Sequence, residues 1–217
     1  MQETVNGNYR QRDYWVVENR QYAEPSFRLL KCARMLNELA NGRESSLLDL
    51  GCGPGALRSL LSPNIKYHGI DIALQEPASF MRELDFAQNP ISFDGQRFDF
   101  IVALGLLEYM GTLQHGKFEE ISDVLNPDGK FIMSYVNFGH LRRKIWPNYN
   151  NVQSIEEMAK SLNKVFNIER CFPASHHWRP KQPGRYALRK IQMHINFSIP
   201  LLSPWLALEY FFVCSHK

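Results

Sequence analysis

Two carboxylates and a run of glycines in the first half of the chain have the types and spacing to hold a ligand rich in hydroxyl groups. Leu47-Leu48-Asp49-Leu50 is an apolar run ending at a carboxylate. Gly51, Gly53 and Gly55 follow at alternate positions before Ala56 to Leu61 opens a helix. Glycine permits positive φ and lacks the Cβ that would hold a ligand off the backbone. Strand, tight glycine turn and helix, in that order, predict a site at the carboxyl end of a parallel strand, where nucleotide-like ligands bind in open α/β sheets. Tyr67 to Ile72 is a second short apolar run, and Asp71 lies 22 residues after Asp49. A carboxylate at that distance is placed to accept hydrogen bonds from ribose hydroxyls. Asp71 can equally cap the helix that follows. The glycine pattern is D-x-G-x-G-x-G, not the G-x-G-x-x-G of dinucleotide-binding proteins.

The elements that must position these groups follow from periodicity. Residues 1–25 carry Tyr9, Tyr14, Trp15 and Tyr22 and are expected to form an ordered cap. After Pro25, the apolar residues Phe27, Leu30, Cys32, Ala33, Leu36 and Leu39 recur at helical spacing, and Asn41-Gly42 stops the helix. Ser62-Pro63 keeps the helix after the glycine turn short. Only 13 residues separate Asp71 from Asp85, so the next helix is reduced to a turn or two. Phe98 to Leu104 is an almost unbroken apolar run, as in a strand buried on both faces. Phe118 to Leu125 reads as a helix. Asn126-Pro127-Asp128-Gly129 is turn punctuation, and Phe131 to Val136 is the next strand. Ser154 and Glu157 form a capping box for a helix reaching about Lys164. Val165 to Cys171 and Ala207 to Cys214 are the last strands, and residues 173–205 form a long insertion between them.

Composition bounds the class. At 217 residues, with 44% hydrophobic and 22% charged residues, the chain suits one soluble domain spanning 1–217. It shows no run of 18 apolar residues and no signal-peptide pattern at its start. Cys32, Cys52, Cys171 and Cys214 have no metal-ligand spacing and read as reduced thiols in a cytoplasmic protein. Charge is uneven: residues 137–217 hold 12 basic and 4 acidic residues, with none acidic from Arg170 to Leu208. That asymmetry points either to a partner of opposite sign or to a solvated basic surface.

The Asp49–Gly55 segment resembles motif I of the class I S-adenosylmethionine-dependent methyltransferases. Asp71, Leu84-Asp85-Phe86, the Phe98–Leu104 run and the Leu125–Lys130 turn resemble later family motifs in order, over about residues 26 to 138. The turn carries Asp128 where the family commonly has glycine. The resemblance implies a three-layer α/β/α sandwich. Its sheet would be Rossmann-like, seven-stranded and mostly parallel, in the order 3-2-1-4-5-7-6 with strand 7 antiparallel. It implies that S-adenosyl-L-methionine is bound, and S-adenosyl-L-homocysteine released, at Asp49, Gly51, Cys52, Gly53, Asp71, Ile72, Asp85, Phe86 and Leu104. Asp71 would grip the ribose and Asp85 the adenine amino group. For Asp85, a solvated loop aspartate is the other reading.

Methyl transfer needs an aligned nucleophile, exclusion of water and, for a hydroxyl acceptor, a base. The candidates near the ends of strands 4, 5 and 6 are Glu108, His140 and His176, with His140 first because it follows strand 5 closely. Histidine titrates near neutrality and suits that duty, although a loop histidine is as readily structural and Glu108 can be a helix-cap carboxylate. Tyr14, Tyr109, His177, Arg185 and Arg189 are candidate acceptor contacts. No acidic cluster for a catalytic metal appears between Ala103 and Gly116, and no RNA-recognition module is visible. The expected reaction is transfer of a methyl group to oxygen or nitrogen of a small acceptor with phosphate or carboxylate, such as a sugar derivative or natural-product intermediate, by a monomer or homodimer. The insertion is expected to cover the acceptor or to form a dimer arm. A lipid-linked acceptor at a membrane surface is one alternative, because Ile195 to Phe212 is apolar and follows basic residues. The other is a non-catalytic partner of an acyltransferase, because Asn137-Phe138-Gly139-His140 is similar to MetW-like proteins.

Overall fold

A computed structural model describes residues 26–74, 78–91, 93, 95–110, 113–138, 153–178, 191–193 and 206–217. The cap at residues 1–25 and much of the 173–205 insertion lie outside the described residues.

Helix α1 (Phe27–Ala40) forms where apolar residues recur on one face, and it buries Cys32, Ala33, Leu36 and Ala40. Asn41 ends it in the left-handed conformation at φ 47°, its N–H donating to the Asn37 carbonyl. Strand β1 (Ser45–Leu50) then enters the sheet. The helix after the glycine turn is a 3₁₀ segment, Ala56–Leu60, as short as Ser62-Pro63 requires. Strands β2 (Ile65–Asp71) and β3 (Met81–Glu83) follow, with no helix between them among the described residues. Strand β4 (Phe98–Leu104) is buried through most of its length. Helix α2 (Gln114–Asp123), strand β5 (Leu125–Val136) and helix α3 (Ile155–Leu162) come next. Helix α3 starts with the expected box: Glu157 N–H donates to Ser154 Oγ, and Ser154 N–H donates to the Glu157 carboxylate.

The eight strands form one sheet in the order β3-β2-β1-β4-β5-β8-β6-β7, where β6 is Phe166–Trp178, β7 is Ile191–Met193 and β8 is Ala207–His216. The expected seven-strand order is present, with β8 as the antiparallel member inserted between β5 and β6. Helix α1 covers one face with a core of Leu36, Leu47, Val102, Ile132 and Phe211. Helices α2 and α3 cover the other, with Phe118, Ile121, Met158 and Leu162 against Leu48, Ile101, Phe131 and Phe212. That makes the three layers.

Three boundaries differ from the expectation. Helix α2 starts earlier and ends at Asp123, because Leu125 already pairs with Phe98 of β4. The Pro127-Asp128-Gly129 turn lies within β5 as an irregularity: Leu125 pairs with Phe98 and Lys130 with Phe100. The third is β6, which does not stop at Cys171. It continues to Trp178, so His176 and His177 belong to a strand and do not open a loop. Bulges around Pro173 and Ser175 let it follow β8, and β7 pairs along its extended part, Met193 opposite His176 and Gln192 opposite His177. The insertion thus adds an eighth strand to the sheet edge.

Candidate active site

The carboxyl ends of β1, β2 and β4 and the start of α1 enclose a cavity of about 340 Å³. Its volume falls in the range of small-molecule sites. The glycine turn is fastened from β2. Gly51 and Cys52 N–H groups both donate to the Ile70 carbonyl, at 2.8 and 3.1 Å, and Gly53 N–H donates to Asp71 Oδ2 at 2.8 Å. Gly51, Gly53 and Gly55 all take positive φ. A Cβ at Gly51 would also come within 3.1 Å of the Leu106 side chain, so the turn demands glycine there on two grounds.

Asp71 sits at the end of β2 with its Oδ1 accepting from Ala73 N–H at 2.9 Å. It therefore orders the chain on both sides of the cavity floor; among the described residues no helix directly follows Asp71 for it to cap, and its contact to Ala73 is an Asx-type turn. Asp49 lies beneath the turn, 3% exposed, accepting from the Tyr67 hydroxyl at 2.9 Å. Burial pushes its carboxyl up to about 7; the Tyr67 hydroxyl works against that rise, and the negative charge of Asp71 adds to it. Gly69 makes room for this arrangement, since a Cβ there would stand 2.8 Å from Cys52 Sγ and 3.2 Å from the Tyr67 hydroxyl. Burial also raises the thiol of Cys52 far out of the reactive range, so this cysteine packs and does not react.

The structure brings together the nine residues expected around the cofactor. Asp49, Gly51, Cys52 and Gly53 line one wall of the cavity, Asp71, Ile72, Asp85 and Phe86 a second, and Leu104 lies at the end of β4. Asp85 is held by an Asx-type turn, its Oδ1 accepting from Ala87 N–H at 3.0 Å. Of the proton-handling candidates, Glu108 and Tyr109 line the same cavity from a 3₁₀ turn (Leu107–Tyr109), and Glu108 is 2% exposed. The backbone of His176 and His177 lies in β6. Tyr14, His140, Arg185 and Arg189 lie outside the described residues. Asn137, in the segment similar to MetW-like proteins, closes the sheet: its N–H donates to the Leu208 carbonyl and its side-chain amide to the Ala207 carbonyl, each at 2.8 Å.

Sequence reasoning missed Ser26, Arg28 and Leu29, which line the cavity from the start of α1. Their signal was a basic residue at the head of an amphipathic helix, and it is hidden when that stretch is read for apolar period alone. Asp99, by contrast, is a structural carboxylate. Burial opposes its ionisation, but donors from Ser46 N–H, Asn126 and the Ser46 hydroxyl hold it below the usual range, and it ties β4 to β1.

The methyltransferase-domain family matches residues 22–180. The chain belongs to that family. As its motifs imply, this methyltransferase is of the class I type and uses S-adenosylmethionine. No curated protein sequence matches it. Among solved structures, an S-adenosylmethionine-dependent methyltransferase from Clostridium acetobutylicum shares 13% identity, covers 90% of this chain and 94% of its own, and has a TM-score of 0.62. The N-methyltransferase NodS of Bradyrhizobium japonicum, in complex with S-adenosyl-L-homocysteine, shares 17% over 99% and 98%, at a TM-score of 0.57. A 1,6-didemethyltoxoflavin-N1-methyltransferase of Burkholderia thailandensis shares 16% over 98% and 85%, at 0.56. These likenesses confirm the fold of the methyltransferase. Its cavity chemistry fits the cofactor, with carboxylates for hydroxyl and amino donors and for positive charge, and apolar walls at Phe86 and Leu104. Among the described residues, no group of three or more His, Cys, Asp or Glu side chains is placed to hold a metal ion, and no helix is long and apolar enough to cross a membrane.

Proposed function

We propose that this methyltransferase acts on an oxygen or nitrogen of a small anionic acceptor, such as a sugar derivative or natural-product intermediate. The observation that carries the reading is the course of β6. It runs parallel to β1–β5, so its carboxyl end at Trp178 lies at the end of the sheet where the cavity opens. The sequence between Trp178 and Ile191 carries Arg179, Lys181, Arg185, Arg189 and Lys190, with no acidic residue. A basic segment tethered at that end favours an acceptor with phosphate or carboxylate. NodS and the 1,6-didemethyltoxoflavin-N1-methyltransferase are N-methyltransferases, which supports trying nitrogen acceptors first.

In this reading Asp71 accepts from the ribose hydroxyls and Asp85 from the adenine amino group. Asp49 lies beneath the turn that receives the amino-acid arm. The bound sulfonium supplies an electrophilic methyl group and leaves as a thioether. The chain aligns the acceptor, excludes water and, for a hydroxyl, removes a proton at His140, His176 or Glu108. The test is transfer of labelled methyl from S-adenosylmethionine to matched amine and hydroxyl acceptors with and without a phosphate or carboxylate. Preferential labelling of the anionic members is expected. Equal or better labelling of the neutral ones would refute the anionic acceptor.

A further inference from the structure

Among the described residues no helix separates β3 from β4, so the loop that begins at Asp85 and Phe86 has no helix of its own to hold it against the sheet. Its local contacts shape a tight turn. The Asp85 carbonyl accepts from Gln88 N–H at 3.2 Å, from Asn89 N–H at 3.0 Å and from the Asn89 side-chain amide at 2.9 Å. Gln88, Asn89 and Pro90 are exposed, so the far side of that turn is not held by burial. What fastens it to the rest of the molecule comes from helix α2.

Lys117 of α2 is buried, with its side chain 7% exposed, and a lysine ammonium carries three N–H donors. Three oxygens receive them: the Asn89 carbonyl at 2.9 Å and the two Glu120 carboxylate oxygens at 2.8 and 2.9 Å. The same ammonium lies 5.4 Å from the centroid of the Phe86 ring, which lines the cavity. Glu120 Oε2 accepts in turn from Ile91 N–H at 3.0 Å. Lys117 and Glu120 thus grip the loop at Phe86, Asn89 and Ile91, and neither of them lines the cavity itself. Helix α2 is a firm base for that grip. Phe118 and Ile121 bury it in the core, and Gln114 Nε2 donates to the Leu107 carbonyl at 2.7 Å, beside the β4 end of the same cavity. Hydrogen bonds that involve a charged group are the strong ones, and burial keeps this one poorly screened.

We propose that Lys117, with Glu120, is a positioning residue for purine selection: from outside the cavity it sets where the Asp85 carboxylate and the Phe86 ring stand. The link to Asp85 runs through one residue, since Asn89 accepts from Lys117 and donates to the Asp85 carbonyl. A carboxylate reads an amino group by accepting its N–H. That selects adenine over hypoxanthine, which presents an acceptor oxygen at the same ring position. Such selection depends on where the carboxylate stands, so freeing the loop costs selectivity as well as affinity. The proposal rests on the reading that Asp85 accepts from the adenine amino group.

Calorimetry with S-adenosylhomocysteine and S-inosylhomocysteine, whose purines carry an amino and an oxo group respectively, tests it without turnover. The wild-type protein is expected to prefer S-adenosylhomocysteine by about tenfold or more, the range of one hydrogen bond to a charged group. Lys117→Met should weaken S-adenosylhomocysteine more than the inosyl ligand and shrink that preference by about threefold or more, and Lys117→Arg should restore part of it. Glu120→Ala should shrink it as well, and its partly exposed site decides the matter if Lys117→Met does not fold. A wild-type preference retained in these variants would overturn the proposal. So would an equal loss of both ligands, which marks a support of the fold and nothing more. The adenine reading fails separately: Asp85→Ala would then leave the preference unaltered, or the wild type would show none.

Discussion

On the β1–β3 side of the cavity, Asp71, Asp85 and the glycine turn are fastened by backbone groups of nearby residues. Asp71 takes Gly53 and Ala73 N–H groups, Asp85 takes Ala87, and Ile70 pins two residues of the turn. On the β4–β8 side, polar contacts come from remote parts of the chain. Arg28 reaches Glu209 across 181 positions, and Lys31 donates to the carbonyls of Pro173 and Ala174 from more than 140 away. The first side is built from consecutive strand-to-turn units of a parallel sheet, each contributing one strand end. The second needs α1, the antiparallel β8 and the bulged β6 to meet. Local construction suits an invariant ligand, and remote construction leaves the β4–β8 side open to change without disturbing the glycine turn.

That contrast is tested most severely at the proton acceptor. If the acceptor is a hydroxyl, alanine at the true base among His140, His176 and Glu108 should lower turnover by ~10²- to 10⁴-fold. S-adenosylhomocysteine affinity, measured by calorimetry, should not move. Turnover within about threefold of wild type for all three would instead mark an amine acceptor, or catalysis by alignment.

The next largest effect belongs to the other side. Asp71→Ala removes two backbone contacts as well as the expected ribose contacts. Hydrogen bonds to a charged group contribute about 1.5–3 kcal/mol each, so S-adenosylhomocysteine affinity should fall at least about tenfold. Unchanged affinity would break the assignment of this side to the cofactor. A smaller effect is expected from Arg185→Gln with Arg189→Gln. A solvent-screened ion pair of each with the acceptor would contribute about 0.2–1 kcal/mol, so the acceptor KM should rise several-fold while cofactor affinity holds. Loss of cofactor affinity would make the insertion structural.

The same contrast explains what was legible in the sequence. Asp49, Gly51, Gly53, Asp71 and Asp85 are separated by fixed strand and turn lengths, so their spacing together with the family resemblance assigned them to one cavity. Arg28 is near none of them in sequence, and only the packing of α1 over Gly105 delivers it. The extension of β6 to Trp178 was hidden for a different reason. Pro173 lies within it, and bulges on either side of Ser175 let the strand continue. Leu125-Asn126-Pro127-Asp128-Gly129 misled in the same way: turn residues inside a strand irregularity look like residues between elements.

A pH dependence of stability is the effect least tied to turnover, and it too differs between the sides. Asp49, raised from 3.8 to about 7, binds its proton more tightly folded than unfolded, so its contribution is full at low pH and is lost as pH rises from about 4 through 7. His68, opposite Leu48 in β2, is buried against Phe93 and Phe98 with neither ring nitrogen hydrogen-bonded. Burial, with Lys66 adding to it, lowers its pKa below 6.5, so the folded chain releases that proton more readily and stability grows as pH rises toward 6.5. The two slopes oppose each other. Asp49→Asn should therefore steepen the rise of Tm with pH below 6.5, and His68→Phe should leave a Tm that falls from about pH 4 to 7. On the α1 side, burial lowers Lys31 to about 8 against the pull of Glu209, so its slope is positive and confined to the range between 8 and 10.5. Thermal melts across pH 4–10 on the three single variants separate these windows. A change at acidic pH in Lys31→Met, or none there in Asp49→Asn, would break the division of titrating groups between the two sides.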